Sequence, residues 1–454
     1  MKKSNSLILI VLFLLLPFRS EAQSQSMVLY TQMPDSIEKT IIREMPHLIS
    51  ISYVETASNN YFVYHFGDTN ILQVIRIDNN LTVNDFVIDN DSVFFCGENT
   101  SGVGFLGYFS VQDFFFGSGT YTVTVLPFQT FYGDITTFDR LEAYPMNGCR
   151  VYVAIGKTLL GNYALAEVRY YTSGLVWSYV TGALDASQQE SLIDIALTKN
   201  YVVTAGFIQN SMGPLPCLRI YWKSSVFNAS GPQDESYFTY FTGIVTSHFD
   251  GREIALSHMV SDTFALSVFW HDNYPSGGHG TIVGMYNIIP SVGINSVNNI
   301  QIPQYYLNGN WRLSGMTPML SATQSFYLLQ NVEEYGYSNL VDKVLEISFS
   351  SFGLVPISYR MQNHHMLQSI DAQKNDVSFV TNGPIEYNPN QLFYYCTNLS
   401  SMACCTHGLI PCGLLPMKST TTLYPFSMKA SNVQYSQNYV GLSLPIKLKV
   451  DCYQ

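Results

Sequence analysis

The sequence predicts an all-β protein built from a repeated four-stranded sheet, and three observations carry that expectation. Charged residues make up 12% of the chain and aromatic residues 14%, with 32 Tyr and 28 Phe, a composition that suits strands rather than solvated helices. One strand–turn–strand phrase recurs along most of the length. Between its copies there is no helix-period segment of useful length, "DSIEKTIIREM" near the N-terminus being the one short candidate.

The phrase is clearest in "SLIDIALTKNYVVTAGF", from Ser191 to Phe207. Its first strand, 192–197, alternates in character; its second, 201–207, is nearly all apolar and ends at Gly206. Other copies begin at His47, Asn84, Arg140, Arg252, Arg312 and His365, which makes seven with this one. Each continues through a Gly/Asn-rich loop into a third strand rich in aromatics. Most then add a weaker fourth strand, such as "TYTVTVLP" or "GLVWSYV".

A single four-stranded sheet cannot bury both faces, whereas sheets stacked around an axis can. The apolar second strands then lie mid-sheet, covered on both sides. A four-strand repeat of about 50–60 residues is the period of a β-propeller blade. Sandwich domains of ~100 residues do not repeat at half that length. The expected fold is a β-propeller of seven blades, with six or eight as the alternative counts. Equivalent second strands are expected at 93–97, 151–156, 201–207, 263–269, 325–329 and 377–381.

The first copy is short: after "NILQVIRID" only "NNLTV" precedes the next inner strand, which leaves no room for an outer one. The terminal "GLSLPIKLKV", 441–450, reads as a long strand without a phrase of its own. A terminal strand is therefore expected to close the ring. The domain reading is 1–22 as a leader, 23–46 as a lead-in, 47–400 as the propeller, and 401–454 as a Cys-rich segment that contributes the closing strand.

The leader has the pattern of a secretory signal peptide: Lys2 and Lys3, an apolar run from Leu7 to Leu16, and Ser20-Glu21-Ala22 as a cleavage site. Too short to span a bilayer, it predicts export with cleavage after Ala22. Its removal takes away three basic residues and one acidic one, so the mature chain is more acidic than the formal −11. Such a chain repels phosphate backbones, which excludes nucleic acid as the expected partner. No later run is apolar enough for a transmembrane segment, and the sequence leaves the oligomeric state open.

Of eight cysteines, five fall late, at Cys396, Cys404, Cys405, Cys412 and Cys452. In an exported chain these are expected as disulfides or buried thiols. "CCTHGLIPC" lacks the paired C-x-x-C spacing of a zinc site, so no metal and no cofactor is expected. "DNDS", Asp89 to Ser92, is calcium-like in composition but sits where a hairpin turn is required.

In strand order and period, residues 40–400 resemble exported bacterial seven-bladed β-propellers. No WD dipeptide, kelch di-glycine, NHL-type or Asp-box motif repeats blade by blade, so the resemblance implies a fold and carries over no functional residue.

In such a ring the loops between second and third strands share one face with the loops that enter the first strands, and loops from many blades converge there. The longest of them, "HDNYPSGGHG", carries His271, Asp272, Tyr274 and His279. Entry loops add Asp250, Arg252, Trp311, Arg312, His364 and His365. These ten are the candidate ligand-binding residues; Trp311 beside Arg312 could stack on a sugar ring or another planar group. Polar loop tips also collect such residues without a ligand. The leading functional reading is an exported noncatalytic propeller that binds a glycan or an extracellular protein. The alternatives are a carbohydrate-active enzyme using Asp250, Glu253 or Asp272, which would need paired carboxylates, and a structural component of a surface assembly.

Overall fold

Antiparallel pairing uses every strand of the recurring phrase, as the period requires. The computed structural model describes the strands and tight turns between residues 27 and 450. Residues 1–26, 183–189, 224–235, 243–253, 272–278, 305–311, 319–324, 334–339, 383–390, 398–404, 410–417, 451–454 and shorter loop stretches lie outside the described residues. Side chains are described chiefly up to residue 295.

Among the described residues the strands form six antiparallel sheets of four to nine strands, numbered along the chain as consecutive four-stranded units. Units 1 to 6 occupy 37–77, 81–124, 133–182, 190–242, 254–304 and 312–361. Unit 7 combines Met366–Gln373, Asp376–Asn382 and Gln391–Thr397 with the N-terminal strand Met27–Gln32. All six expected second strands fall in six different sheets, each antiparallel to the first strand of its unit. Asp89 pairs with Ser92, so "DNDS" is the expected two-residue turn.

Successive first strands lie against one another in chain order: Ile37–Met45, Leu81–Asp89, Gly133–Met146, Glu190–Leu197, Ile254–His258, Arg312–Pro318, Met366–Gln373. The last of them also lies against the first.

The apolar cores sit between units rather than inside them. One cluster joins Ile51, Tyr53 and Phe62 of unit 1 to Phe86, Phe95 and Phe109 of unit 2. Phe62 meets Phe86 edge-on at 5.3 Å and Phe109 at 5.1 Å, the offset geometry that aromatic quadrupoles favour. Further clusters join units 2 and 3, 3 and 4, and 4 and 5. This explains the nearly continuous apolar second strands: Tyr201, Val202, Val203 and Ala205 are all buried because both faces of the sheet are covered.

Two expectations near the N-terminus are corrected. "DSIEKTIIREM" is no helix; Ile37–Met45 is the first strand of unit 1, paired with Ile49–Thr56. A register shift between Ile37 and Lys39 breaks its alternation, and Ile41 and Ile42 are both buried because the strand is covered on both faces. Helix-like spacing results. The copy beginning at His47 therefore supplies second, third and fourth strands, and unit 1 is complete. The missing outer strand is that of unit 7, and Met27–Gln32 fills it. The one described helix is the four-residue Asp113–Phe116, and no described helix is long and apolar enough to cross a membrane.

The tail beyond residue 400 contributes more than one strand. Cys405–Leu409 adds to unit 6, Lys418–Leu423 to unit 4, Lys429–Ala430 to unit 3 and Ser436–Val440 to unit 2. Ile446–Val450, shorter than the expected 441–450, pairs with Met27–Gln32 on one side and Ile71–Ile77 on the other. Units 7 and 1 thereby share a nine-stranded sheet. Deleting 442–454 strips that bridging strand and leaves two edges open, so melting is expected to fall by several degrees, with aggregation through the bared edges. Differential scanning calorimetry and light scattering check this; unchanged stability would make the last strand peripheral.

Candidate functional site

The inner edge of each sheet carries polar groups that need partners, and the chain supplies them from the neighbouring unit. A β-bulge recurs in the first strands: register shifts fall between Ile37 and Lys39, Val83 and Asp85, Phe138 and Arg140, and Leu192 and Asp194. The residue after each shift reaches the next unit. Lys39 Nζ donates to Val83 O at 2.9 Å and to Asn84 Oδ1 at 3.2 Å. Asp85 Oδ2 accepts the Leu141 N–H at 3.1 Å. Arg140 Nε lies 3.6 Å from Asp194 Oδ1. Asp194 Oδ2 accepts the Leu256 N–H at 2.7 Å. The bulge aims each of these side chains off its own sheet, as bulges do.

Both oxygens of each carboxylate have partners. Asp85 Oδ1 also accepts from Phe86 N at 2.9 Å and pairs with Arg43 Nη2 at 2.5 Å, and Asp194 Oδ1 accepts from Ile195 N at 3.0 Å. Burial pushes the Asp194 carboxyl above the usual carboxylate range, against the pull of Arg140 and its two backbone donors. Burial likewise lowers the Lys39 ammonium, with Glu55 opposing and Arg140 reinforcing the shift. These groups hold neighbouring units together, and sequence reasoning did not single them out. Their signal was legible: Asp85 and Asp194 are charged residues inside apolar strands, each twelve positions ahead of a glycine, Gly97 and Gly206.

A second buried ion pair lies within unit 3. Arg169 Nε meets Glu167 Oε1 at 2.5 Å, and burial pushes the Glu167 carboxyl up to about 7 against the opposing effect of Arg169. Among the described residues no cluster of three or more His, Cys, Asp or Glu side chains could hold a metal ion. Asp89, in the calcium-like turn, pairs with Arg150 Nη1 at 2.8 Å. Cys96, Cys149 and Cys217 are buried, and Cys96 Sγ donates to Phe138 O at 3.7 Å. Disulfide pairing of the late cysteines rests on side chains outside those described.

Of the ten candidate ligand-binding residues, three fall on described backbone. His271 and His279 are cross-strand partners and close the second-to-third hairpin of unit 5. Arg312 opens the first strand of unit 6 opposite Asn331. Strand direction puts all three at one end of their units, the end where first strands begin and second strands finish. Asp250, Arg252, Asp272, Tyr274, Trp311, His364 and His365 lie outside the described residues.

At this same end of unit 3 the second-to-third turn carries Leu159 and Leu160, 73% and 69% exposed, the exposed large apolar residues among the described side chains. The turn is held firmly: Gly161 N donates to Thr158 O at 2.9 Å, and Leu159 N donates to Asp134 O at 2.9 Å. Gly161 has φ +80°, a backbone region that glycine enters without strain. Turn tips are ordinarily polar.

No known protein family matches this sequence, and no curated protein does. Solved structures of similar strand arrangement include a Glu150Asp mutant of Synechocystis apocarotenoid oxygenase, 8% identical, with TM-score 0.43 over 91% of this chain and 97% of that one. Drosophila Plexin A in complex with Semaphorin 1b gives 10% identity and TM-score 0.42 over 83% and 88%. The extracellular domains 1-2 of Drosophila Semaphorin 1b give 8% and 0.36 over 81% and 88%. Likenesses at this level say nothing about a ligand or an activity.

Proposed function

We infer that the chain is an exported, noncatalytic binding module. In this reading it is a seven-bladed propeller closed at its seam by Met27–Gln32 and Ile446–Val450, and its loop end docks a protein partner. The cyclic contact of the seven first strands supports the ring. The engagement of Lys39, Asp85, Arg140 and Asp194 in holding neighbours supports a scaffold role for the inner strands. The observation that carries the binding reading is the exposed Leu159–Leu160 tip, at the end where His271, His279 and Arg312 also lie.

A protein partner fits this tip better than a glycan. Burying the part of both leucines that is still exposed is worth about 2–4 kcal/mol in transfer free energy, and a hydrated sugar offers no apolar pocket to receive them.

The Leu159→Ser/Leu160→Ser double variant tests this. Both side chains are already exposed, so its melting temperature is expected to stay within about 1 °C of the parent. Binding to an immobilised panel of extracellular proteins is expected to weaken at least tenfold. Replacing 272–278 with a short Asn-Gly turn is expected to fold and to weaken the same interaction. Full-strength binding by both variants, or binding confined to a glycan array, would overturn the reading.

A further inference from the structure

The tail pairs with the outer strands of units 2, 3, 4 and 6, and the outer strand of unit 4 differs from the rest in composition. It is Ser236–Thr242, SYFTYFT. It holds no charge, no proline and no glycine, and every residue after Ser236 is aromatic or β-branched. That is the composition of a strand that pairs with copies of itself. Natural edge strands are commonly blunted by charge, proline or a bulge. Gly353–Met361 of unit 6 has Pro356 and Arg360. Ser236–Thr242 has no such residue, and its ladder with Gly213–Trp222 runs without a register shift.

The strand that covers it is Lys418–Leu423, KSTTTL, antiparallel over six positions. The register sets Leu423 opposite Tyr237, Thr422 opposite Phe238, Thr420 opposite Tyr240 and Ser419 opposite Phe241. No aromatic position of the edge therefore meets another aromatic position. Unit 2 contrasts with this, because there the tail sets Tyr439 opposite Tyr121. Two opposed rings bury more apolar area than a ring opposite threonine, and they gain the contact of their quadrupoles besides.

The aromatic positions of SYFTYFT are symmetric about Thr239. An antiparallel pairing of this strand with its own copy, centred on Thr239, sets Tyr237 opposite Phe241 and Phe238 opposite Tyr240, each twice. We propose that Ser236–Thr242 is a self-association edge whose occupant is the same strand of a second copy of this chain, and that Lys418–Leu423 is the cap that competes for it. The two sheets then join edge to edge across a two-fold axis, an isologous contact. The cap prevails in dilute solution because it is tethered, at an effective concentration on the order of millimolar. The second copy has the better side-chain pairing, so exchange is driven by concentration.

The test uses the full chain. Thr420→Pro/Thr421→Pro removes two successive donors from the cap, one of which faces the edge in either phase of the ladder, and leaves Ser236–Thr242 intact. Sedimentation velocity is expected to show a reversible monomer–dimer equilibrium with a dissociation constant roughly tenfold or more below that of the parent chain. Adding Thr239→Lys sets two ammonium groups against each other at the centre of the pairing and should abolish the dimer. If the proline variant does not fold, a photo-crosslinking phenylalanine analogue at position 238 of the otherwise unchanged chain decides. Its crosslinks are expected to pass, as concentration rises, from 418–423 within one chain to 236–242 of a second. A folded proline variant that stays monomeric would overturn the proposal. So would a dimer that survives Thr239→Lys, or, in the unchanged chain, crosslinks that stay within one chain at every concentration or reach a second copy elsewhere.

Discussion

Replacing Gly206 with alanine is expected to lower stability by about 3 kcal/mol or more, at or beyond the upper end of overpacking costs. The bulge in the first strand of unit 4 turns the Ser191 carbonyl towards the second strand. A Cβ on Gly206 would lie far inside contact distance of that oxygen, of Ser191 C and of Leu192 Cα. All three are backbone atoms, so no rotamer change relieves the clash. Gly97 meets Thr82 in the same way in unit 2, and Gly156 meets Thr137 in unit 3. The three alanine variants should show comparable losses in urea unfolding. Gly104→Ala is the contrast: its Cβ would meet side-chain atoms of Ile135 and Phe138 at 3.1 Å, which can give way at smaller cost. Equal losses at Gly104 and Gly206 would contradict the bulge account.

Asp85→Ala is expected to cost about 3–5 kcal/mol, the range for breaking a buried charge pair from one side. The residue is 3% exposed and serves two units at once. Its loss takes the acid from Arg43 and removes acceptors for the N–H groups of Phe86 and Leu141. Asp194→Ala should cost less, about 1–3 kcal/mol, because its pairing with Arg140 is longer, at 3.6 Å, and Arg140 is 40% exposed. Asp85→Asn should fall between the parent and the alanine variant, since an amide oxygen can still accept one of the two N–H groups. Chemical denaturation of the set checks the ranking, and a neutral Asp85→Ala would show that the inner edges are held by something else.

The hairpins were legible because two signals coincided in them. In unit 4 the alternation of 192–197, the polar turn at Thr198–Asn200 and the apolar run from Tyr201 give strands at Glu190–Leu197 and Tyr201–Asn210. Thr198 N donates to Tyr201 O at 2.9 Å and closes that turn. Ile37–Met45 was not legible as a strand, because its bulge and its two covered faces erase the period of two on which strand reading depends. The last tail strand, Ile446–Val450, was legible in the apolar alternation of "GLSLPIKLKV". The four before it were hidden for a different reason: they are two to six residues long and mostly polar, so no hydrophobic pattern marks them. At the candidate site the sequence pointed to loop-tip histidines, whose polarity is conspicuous. It passed over Asp85 and Asp194, which sit inside apolar strands, and Leu159–Leu160, which an apolarity scan assigns to the core rather than to a turn tip.

Closure at the seam is the claim on which the ring and the unit count rest, and amide hydrogen exchange at Met27–Gln32 tests it. If this strand lies between Gln391–Thr397 and Ile446–Val450, its amides should exchange as slowly as those of Tyr201–Asn210 in the middle of unit 4. Deleting 442–454 should then speed exchange at both Met27–Gln32 and Ile71–Ile77, the two strands that lose their shared partner. Exchange of Met27–Gln32 at the rate of an unstructured terminus in the intact chain would contradict the closed ring.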